Sequence, residues 1–407
     1  MAAFSAWSAS QTGSFSLVPE ESSAKVEDVA VPIEDDTAET SRADLPLFTP
    51  RRVIQTAVIV LALLVGIYFL FPKLVGLSNA LGKLDDADPV WIAIAVAFCV
   101  ASFGAYIALF KAVVGGDALR LTWDETYEIN MAGVAASLLF SAAGAGGIVL
   151  TYWALRKAGL PRKDVARRMV AFITLHYAFY PIALIVFGIL LRTGAMHGNG
   201  AVELTIIPAG VAGLLIGLGV LVALIPPDLG GRLTPYAHSE RSRTLVDRIA
   251  KVPATLGEGF RFAIGLFAHP SSGGLAVLGA AGFWATSIGV LWASFHAFGV
   301  HVPLAVVVQG FFLGMVANLF PLAPAGVGAV DAGLIGAFVL FGLPAHTVFP
   351  AILVYRLIAF WLPIPFGIVA FFQLRKTVQR WEDEGRPIDR GSGDGALTDP
   401  VLYKVKY

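Results

Sequence analysis

Asn318-Leu-Phe-Pro-Leu-Ala-Pro-Ala-Gly-Val-Gly-Ala-Val-Asp-Ala-Gly-Leu334 interrupts an apolar region that runs from 304 to 343. The stretch is too apolar for a solvated loop. Pro321, Pro324, Gly326 and Gly328 also prevent it from being one uninterrupted helix. Backbone that leaves helical geometry at membrane depth persists only where it is buried in protein or lines a wet cavity. The stretch therefore predicts two short helices broken inside a membrane, with Asp331 just past the break. A second stretch, Ser141-Ala-Ala-Gly-Ala-Gly-Gly147, breaks the apolar region 129–155 in a similar way.

The rest of the chain supplies the membrane setting. Of 407 residues, 57% are apolar and 14% charged, against about 25% charged in an ordinary soluble protein. A bilayer core needs roughly 20 apolar residues per helix. Six stretches meet that requirement: Val53–Phe71, Val90–Phe110, Met169–Leu191, Leu204–Pro226, Gly273–Phe298 and Thr347–Phe372. The formal net charge is zero, so no basic excess points to nucleic acid. The single cysteine, Cys99, excludes an internal disulfide framework, and no Cys/His spacing suggests zinc. Residues 1–48 differ in composition, with nine acids against Lys25 and Arg42. They are expected to form a disordered acidic tail. No basic segment followed by an apolar core marks a cleaved signal peptide.

Orientation follows the basic residues. Arg51 and Arg52 precede the first span, and Arg156, Lys157, Arg162, Lys163, Arg167 and Arg168 crowd 156–168. Arg232, Arg241, Arg243, Arg248, Lys251 and Arg261 mark 227–271, and Arg375, Lys376 and Arg380 follow the last span. The opposite loops are poor in cations. Both termini are thus expected in the cytoplasm, in a membrane of the bacterial cytoplasmic (inner) type. Segment 129–155 then has to enter and leave by the cytoplasmic face, and it is too short for two crossings at about 1.5 Å per residue. Segment 304–343 has to start and finish outside, which a hairpin or two full crossings would both satisfy, and its uncharged turn favours a buried one. The expected fold is an all-α polytopic integral membrane protein. It has about six full spans plus two re-entrant helical hairpins, 129–155 and 304–343, in an inverted-topology repeat. Repeat 1 covers 49–226 and repeat 2 covers 272–373. A basic amphipathic cytoplasmic loop, 227–271, joins them, and a cytoplasmic tail occupies 374–407. Within the loop, Thr244–Phe267 reads as a surface-lying helix or as a simple connecting helix.

The repeat is visible in residues. Ala143-Gly144-Ala145-Gly146 matches Ala325-Gly326-Val327-Gly328, Gly159-Leu160-Pro161 matches Gly342-Leu343-Pro344, and Pro181-Ile182 matches Pro363-Ile364, all at an offset of 182 or 183. Opposed repeats of this kind build many transporters. Where each hairpin restarts its helix, unpaired N–H groups and the positive dipole end would face the membrane interior, ready for an anion such as a lipid phosphate. Gly144, Gly146, Gly326 and Gly328 would allow close approach. The alternative is that they only permit tight helix packing.

Ionisable residues at depth narrow the site. An aspartate at mid-membrane costs about 2.5–3.5 kcal/mol on insertion scales, so Asp331 needs a partner or a function. Capping its own helix would also account for it. Arg356 lies inside the last span. It either snorkels outward or is buried as a partner to Asp331 or to a phosphate. His176, in the corresponding helix of repeat 1, and Asn318 are further candidates for the binding site. For His176 a packing role competes, and for Asn130, Gln309 and Asn318 the satisfying of freed backbone groups does. Trp292 and His296 suit an outer interfacial belt. No Walker-type loop, no His-Glu-x-x-His motif and no Gly-x-Ser-x-Gly elbow occurs. No enzyme activity, cofactor or metal is therefore expected.

Asn318–Leu334, followed by Gly342-Leu-Pro344 and Tyr355-Arg356-Leu357, resembles the lysylphosphatidylglycerol synthase transmembrane-region family. That family typically shows Pro-Gly-Gly-x-Gly-x-x-Glu, a Gly-hydrophobic-Pro turn and an Arg-bearing final helix. Here Ala325 replaces the first glycine and Asp331 stands where the glutamate usually is. The resemblance spans roughly 50 to 373 and is specific over 318–357. The family includes the flippase half of the multiple peptide resistance factor, which moves aminoacylated phosphatidylglycerol between leaflets. The resemblance thus implies a stand-alone translocase-like membrane domain without a soluble synthase domain, and the head group does not carry over. The leading expectation is a translocase of a phosphate-bearing lipid, such as an aminoacylated phospholipid or a polyprenyl-linked lipid. A membrane phospholipid or other anionic lipid is the expected partner, and Gly-rich faces leave room for a homo-oligomer. The competing readings are an ion- or proton-coupled small-solute transporter and a non-transporting scaffold.

Overall fold

The computed structural model describes residues 86–115, 121–139, 145–226, 240–319 and 328–385. All of them lie in one compact unit, 47–407. The expected acidic tail, the first expected span Val53–Phe71, and most of both glycine-rich breaks lie outside the described residues. Within them the elements are helical. They are α1 (Pro89–Val114), α2 (Trp123–Leu139), α3 (Ala145–Lys157), α4 (Arg162–Arg192), α5 (Ile206–Ala223), α6 (Glu240–Ala268), α7 (Pro270–His296), α8 (Leu304–Met315), α9 (Ala329–Leu340), α10 (Ala345–Arg356) and α11 (Pro363–Asp383).

Five described segments are long and apolar enough to cross a membrane: Pro89–Val114, Arg162–Arg192, Val202–Ala223, Gly273–His296 and Ala345–Asp383. They coincide with the five expected spans that fall on described residues. Their limits differ where polar residues continue a helix. α4 begins in the basic segment before Met169, and the last segment runs past Phe372 to Asp383. That segment has 39 residues, about 58 Å if straight, which exceeds a core of about 30 Å. It is not one helix, because a π-helical turn at Leu357–Trp361 separates α10 from α11. Leu214 and Leu221 of α5 are exposed, as a face in contact with lipid requires.

The two broken regions each form a pair of short packed helices, α2 with α3 and α8 with α9. α8 and α9 have 12 residues each, about 18 Å, so neither reaches across. Within each pair the backbones touch at glycines. A Cβ on Gly147 would lie 2.4 Å from Gly133 O, and a Cβ on Gly314 would lie 2.6 Å from Leu334 Cα. Both pairs leave through the same turn. Gly159 (φ 102°) and Gly342 (φ 97°) adopt backbone open to glycine. Leu160 N–H then reaches back to Leu155 O and Leu343 N–H to Phe338 O, each at 3.1 Å. A proline next starts the following helix, α4 or α10. The pairs also exchange partners: α2 packs on α11, and α8 packs on α4.

α6 is joined to the rest of the helices by packing. It packs on α4, α5 and α7, and Gly259 lies so close to α4 that a Cβ would meet Val170 Cγ1 at 2.4 Å.

Candidate functional site

α9 begins where the second break ends. Gly328 occupies its N-cap with φ 80°, a conformation costly for a side chain that carries a Cβ. Three residues on, Asp331 folds back, and its Oδ2 accepts the Gly328 N–H at 3.0 Å. One amide expected to face the membrane interior unpaired is therefore already satisfied. The other carboxylate oxygen, Oδ1, lies 2.7 Å from Arg356 Nε of α10 as an ion pair. The side chains are 14% and 7% exposed, so the pair is largely removed from solvent. Phe360 lies beneath the guanidinium, with Cζ 4.8 Å from the ring centroid. Both expectations for Asp331 are met in one geometry: it caps its own helix and it pairs with Arg356. Arg356 is buried against the hairpin rather than snorkelling.

A regularity of the sequence gives the pair weight. Between Arg261 and Arg375, histidines apart, the chain carries no acidic or basic residue except Asp331 and Arg356. The first broken region has no equivalent: at the offset of 182 that relates the two glycine breaks, Val149 stands opposite Asp331, and it is exposed.

Among the described residues, the other candidates fall on several elements, and the turn that carries Asn318 packs on α9. Gly144 and Gly326 lie outside the described residues. Gly146 is buried in the first turn of α3. Asn318 falls in a short 3-10 turn, Val316–Leu319, after α8. His176 sits in an aromatic cluster. Its ring stacks on Trp284 (centroids 5.0 Å apart), contacts Phe283 at 4.7 Å and Tyr106 at 5.2 Å, and its carbonyl accepts Trp284 Nε1 at 2.6 Å. Those contacts describe packing. Gln309 donates to Leu204 O at 3.0 Å, a carbonyl at the start of α5's irregular lead-in, which is the backbone-satisfying role. Trp292 and His296 join Trp91 and His301 in an aromatic group where α1, α7 and the 297–303 loop meet.

Sequence reasoning missed what several cations of the basic loops do. Arg168 is buried at the end of α1 and donates to Val114 O at 2.5 Å and Gly115 O at 2.7 Å. Arg261 closes α5, donating to Ala223 O at 2.8 Å and Ile225 O at 2.5 Å. Cations at helix C-termini satisfy the last carbonyls and complement the dipole. Glu125, also buried, accepts Trp381 Nε1 of α11 at 2.8 Å and, through its other oxygen, Thr122 N–H at 2.8 Å. This fastens the first hairpin to the last helix. The Thr122-x-x-Glu125 spacing of a capping box was the available signal.

Long apolar helices, interrupted helix pairs and a buried ion pair define an integral, polytopic helical membrane protein. Residues 53–367 match the family described as lysylphosphatidylglycerol synthase TM region, and the chain belongs to that family, whose description points to a function connected with membrane lipid. It is also similar to curated proteins named UPF0104 membrane protein from Methanothermobacter thermautotrophicus. One match is 33% identical over 87 residues, covering 21% of this chain and 26% of the relative. Another is 32% identical over 79 residues, covering 19% and 24%. These matches span about a quarter of the length of the curated relatives.

Proposed function

We propose that this protein is a flippase-type lipid translocase, in which a phosphate-bearing head group passes between the two short helix pairs while the acyl chains stay in the bilayer. The observation that carries the reading is the Asp331–Arg356 pair. It is an ion pair 2.7 Å long beside a helix break, in a region otherwise without acids or non-histidine bases. Arg suits a phosphate because its planar fork matches the anion's geometry. The head group displaces Asp331 as the partner of Arg356, and Asp331 keeps its cap on Gly328 or meets a cationic substituent of the lipid. In this reading the protein moves the lipid and makes or breaks no bond in it.

The inverted repeat belongs to the same proposal. Matching turns at Gly159 and Gly342, matching glycine crossings and the exchanged packing of α2 on α11 and α8 on α4 support two opposed units, each with a re-entrant hairpin. Both termini then face the cytoplasm, and the aminoacylated and polyprenyl-linked phosphate lipids are the substrate classes of interest. The test is reconstitution into liposomes with phosphatidylglycerol fluorescently labelled on the acyl chain, followed by a membrane-impermeant quencher. Wild-type vesicles are expected to lose signal beyond the outer-leaflet half, and Arg356→Gln vesicles to stop near it. Quenching in wild-type vesicles no faster than in protein-free ones contradicts the reading and favours a solute path or a scaffold.

A further inference from the structure

The helix that carries Arg356 does not continue directly into α11. In the π-helical turn Leu357–Trp361, bonds close over five residues instead of four. Leu362 N–H accordingly goes to Leu357 O at 3.2 Å and is not available to Ile358 O. The next donor in the wide register would come from residue 363, but that residue is proline and has no N–H. Ile358, 7% exposed, is thus left with a carbonyl that its own helix does not serve, which is costly in a buried setting. The donor comes from a different helix. Cys99 of α1, 2% exposed, places Sγ 3.3 Å from Ile358 O.

The wide turn also decides what surrounds Arg356. Phe360, inside the turn, supplies the ring under the guanidinium, and Asp331 of α9 supplies the carboxylate beside it. The orientation of Arg356 is therefore set between a hairpin and a π turn, and the turn is tied to α1 through one thiol.

We propose that Cys99 is a positioning residue: by donating to Ile358 O it holds the π turn in place and so keeps Arg356 aimed at Asp331 and at an incoming phosphate. The geometric half of this inference stands on hydrogen bonding alone. The phosphate half rests on the proposed function.

The test compares Cys99→Ala, which removes the donor, with Cys99→Ser, which keeps one at similar size. The readout is amide exchange at Ala332, whose N–H makes the first helical bond of α9 to Gly328 O at 2.9 Å and reports how firmly Asp331 is held. Exchange about threefold to tenfold faster in Cys99→Ala is expected, the range that follows from loss of one weak buried hydrogen bond. Cys99→Ser is expected to stay within about twofold of wild type. A pure packing role gives the opposite order, because a buried hydroxyl without an acceptor is worse than a methyl. Unchanged exchange in Cys99→Ala, or Cys99→Ser equal to or faster than it, overturns the proposal. Retained lipid, measured in parallel on wild type and Arg356→Gln, separates the two claims. The exchange pattern with no lipid difference leaves Cys99 as the positioning residue and removes the head-group reading. A lipid difference with flat exchange does the reverse.

Discussion

Removing both members of the Asp331–Arg356 pair is expected to disturb the protein less than removing either one. In Asp331→Asn the amide still accepts the Gly328 N–H, so the cap at 3.0 Å survives, and what is lost is the charge opposite a guanidinium that is 7% exposed. Breaking a buried pair from one side costs about 3–5 kcal/mol, because the other charge remains out of water. The Phe360 ring face returns about 1 kcal/mol of that to the cation, leaving about 2–4 kcal/mol. Arg356→Met leaves Asp331 charged with one amide donor at 14% exposure, again a cost of about 2–4 kcal/mol. Independent sites would put the double variant near 6 kcal/mol, but Asp331→Asn/Arg356→Met strands no charge and is expected at about 0–2 kcal/mol. The assay is unfolding by sodium dodecyl sulfate in mixed micelles, followed by tryptophan fluorescence. A double variant at least as unstable as the sum of the singles, or singles within about 0.5 kcal/mol of wild type, refutes the buried, coupled pair.

The glycine crossings are expected to be sharply position-dependent. Gly147→Ala and Gly314→Ala drive a methyl into backbone at 2.4 and 2.6 Å and should each cost about 1–3 kcal/mol or more by forcing a helix pair apart, whereas Gly213→Ala on α5 meets open space and should be neutral in the same unfolding assay. Gly328→Ala also meets open space, so its expected cost of about 1–2 kcal/mol is conformational, from φ 80°. Gly328→Asn is expected to recover part of it, and the absence of any difference between Ala and Asn would argue against that origin.

What could be read from the sequence follows from what each feature depends on. The spans were legible because hydropathy over twenty residues is a local property. The turns at Gly159 and Gly342 were legible because Gly-Leu-Pro carries its own geometry. Asp331 and Arg356 stood out because charge at membrane depth is expensive, and the same argument led to their pairing. The placement of His176 within the Trp284 cluster was not decidable from sequence, because in a membrane helix the lipid face and the packed face are both apolar and periodicity separates them poorly. The C-caps formed by Arg168 and Arg261 were hidden for another reason. Basic residues on that side are expected on topological grounds alone, so nothing distinguished the two that close a neighbouring helix. The π turn depends on Pro363 removing a donor while Cys99, far away in sequence, supplies one. That coincidence exists only after α1 and the π turn have packed.

The central claim is that the Asp331–Arg356 pair holds a phosphate-bearing lipid. Native mass spectrometry of gently extracted protein, with the lipid identified after release, tests it most directly by comparing wild type with Arg356→Gln. The account predicts a defined anionic lipid on the wild type that is lost from the variant while the variant stays folded. The same mixture of bulk lipid on both proteins would contradict it.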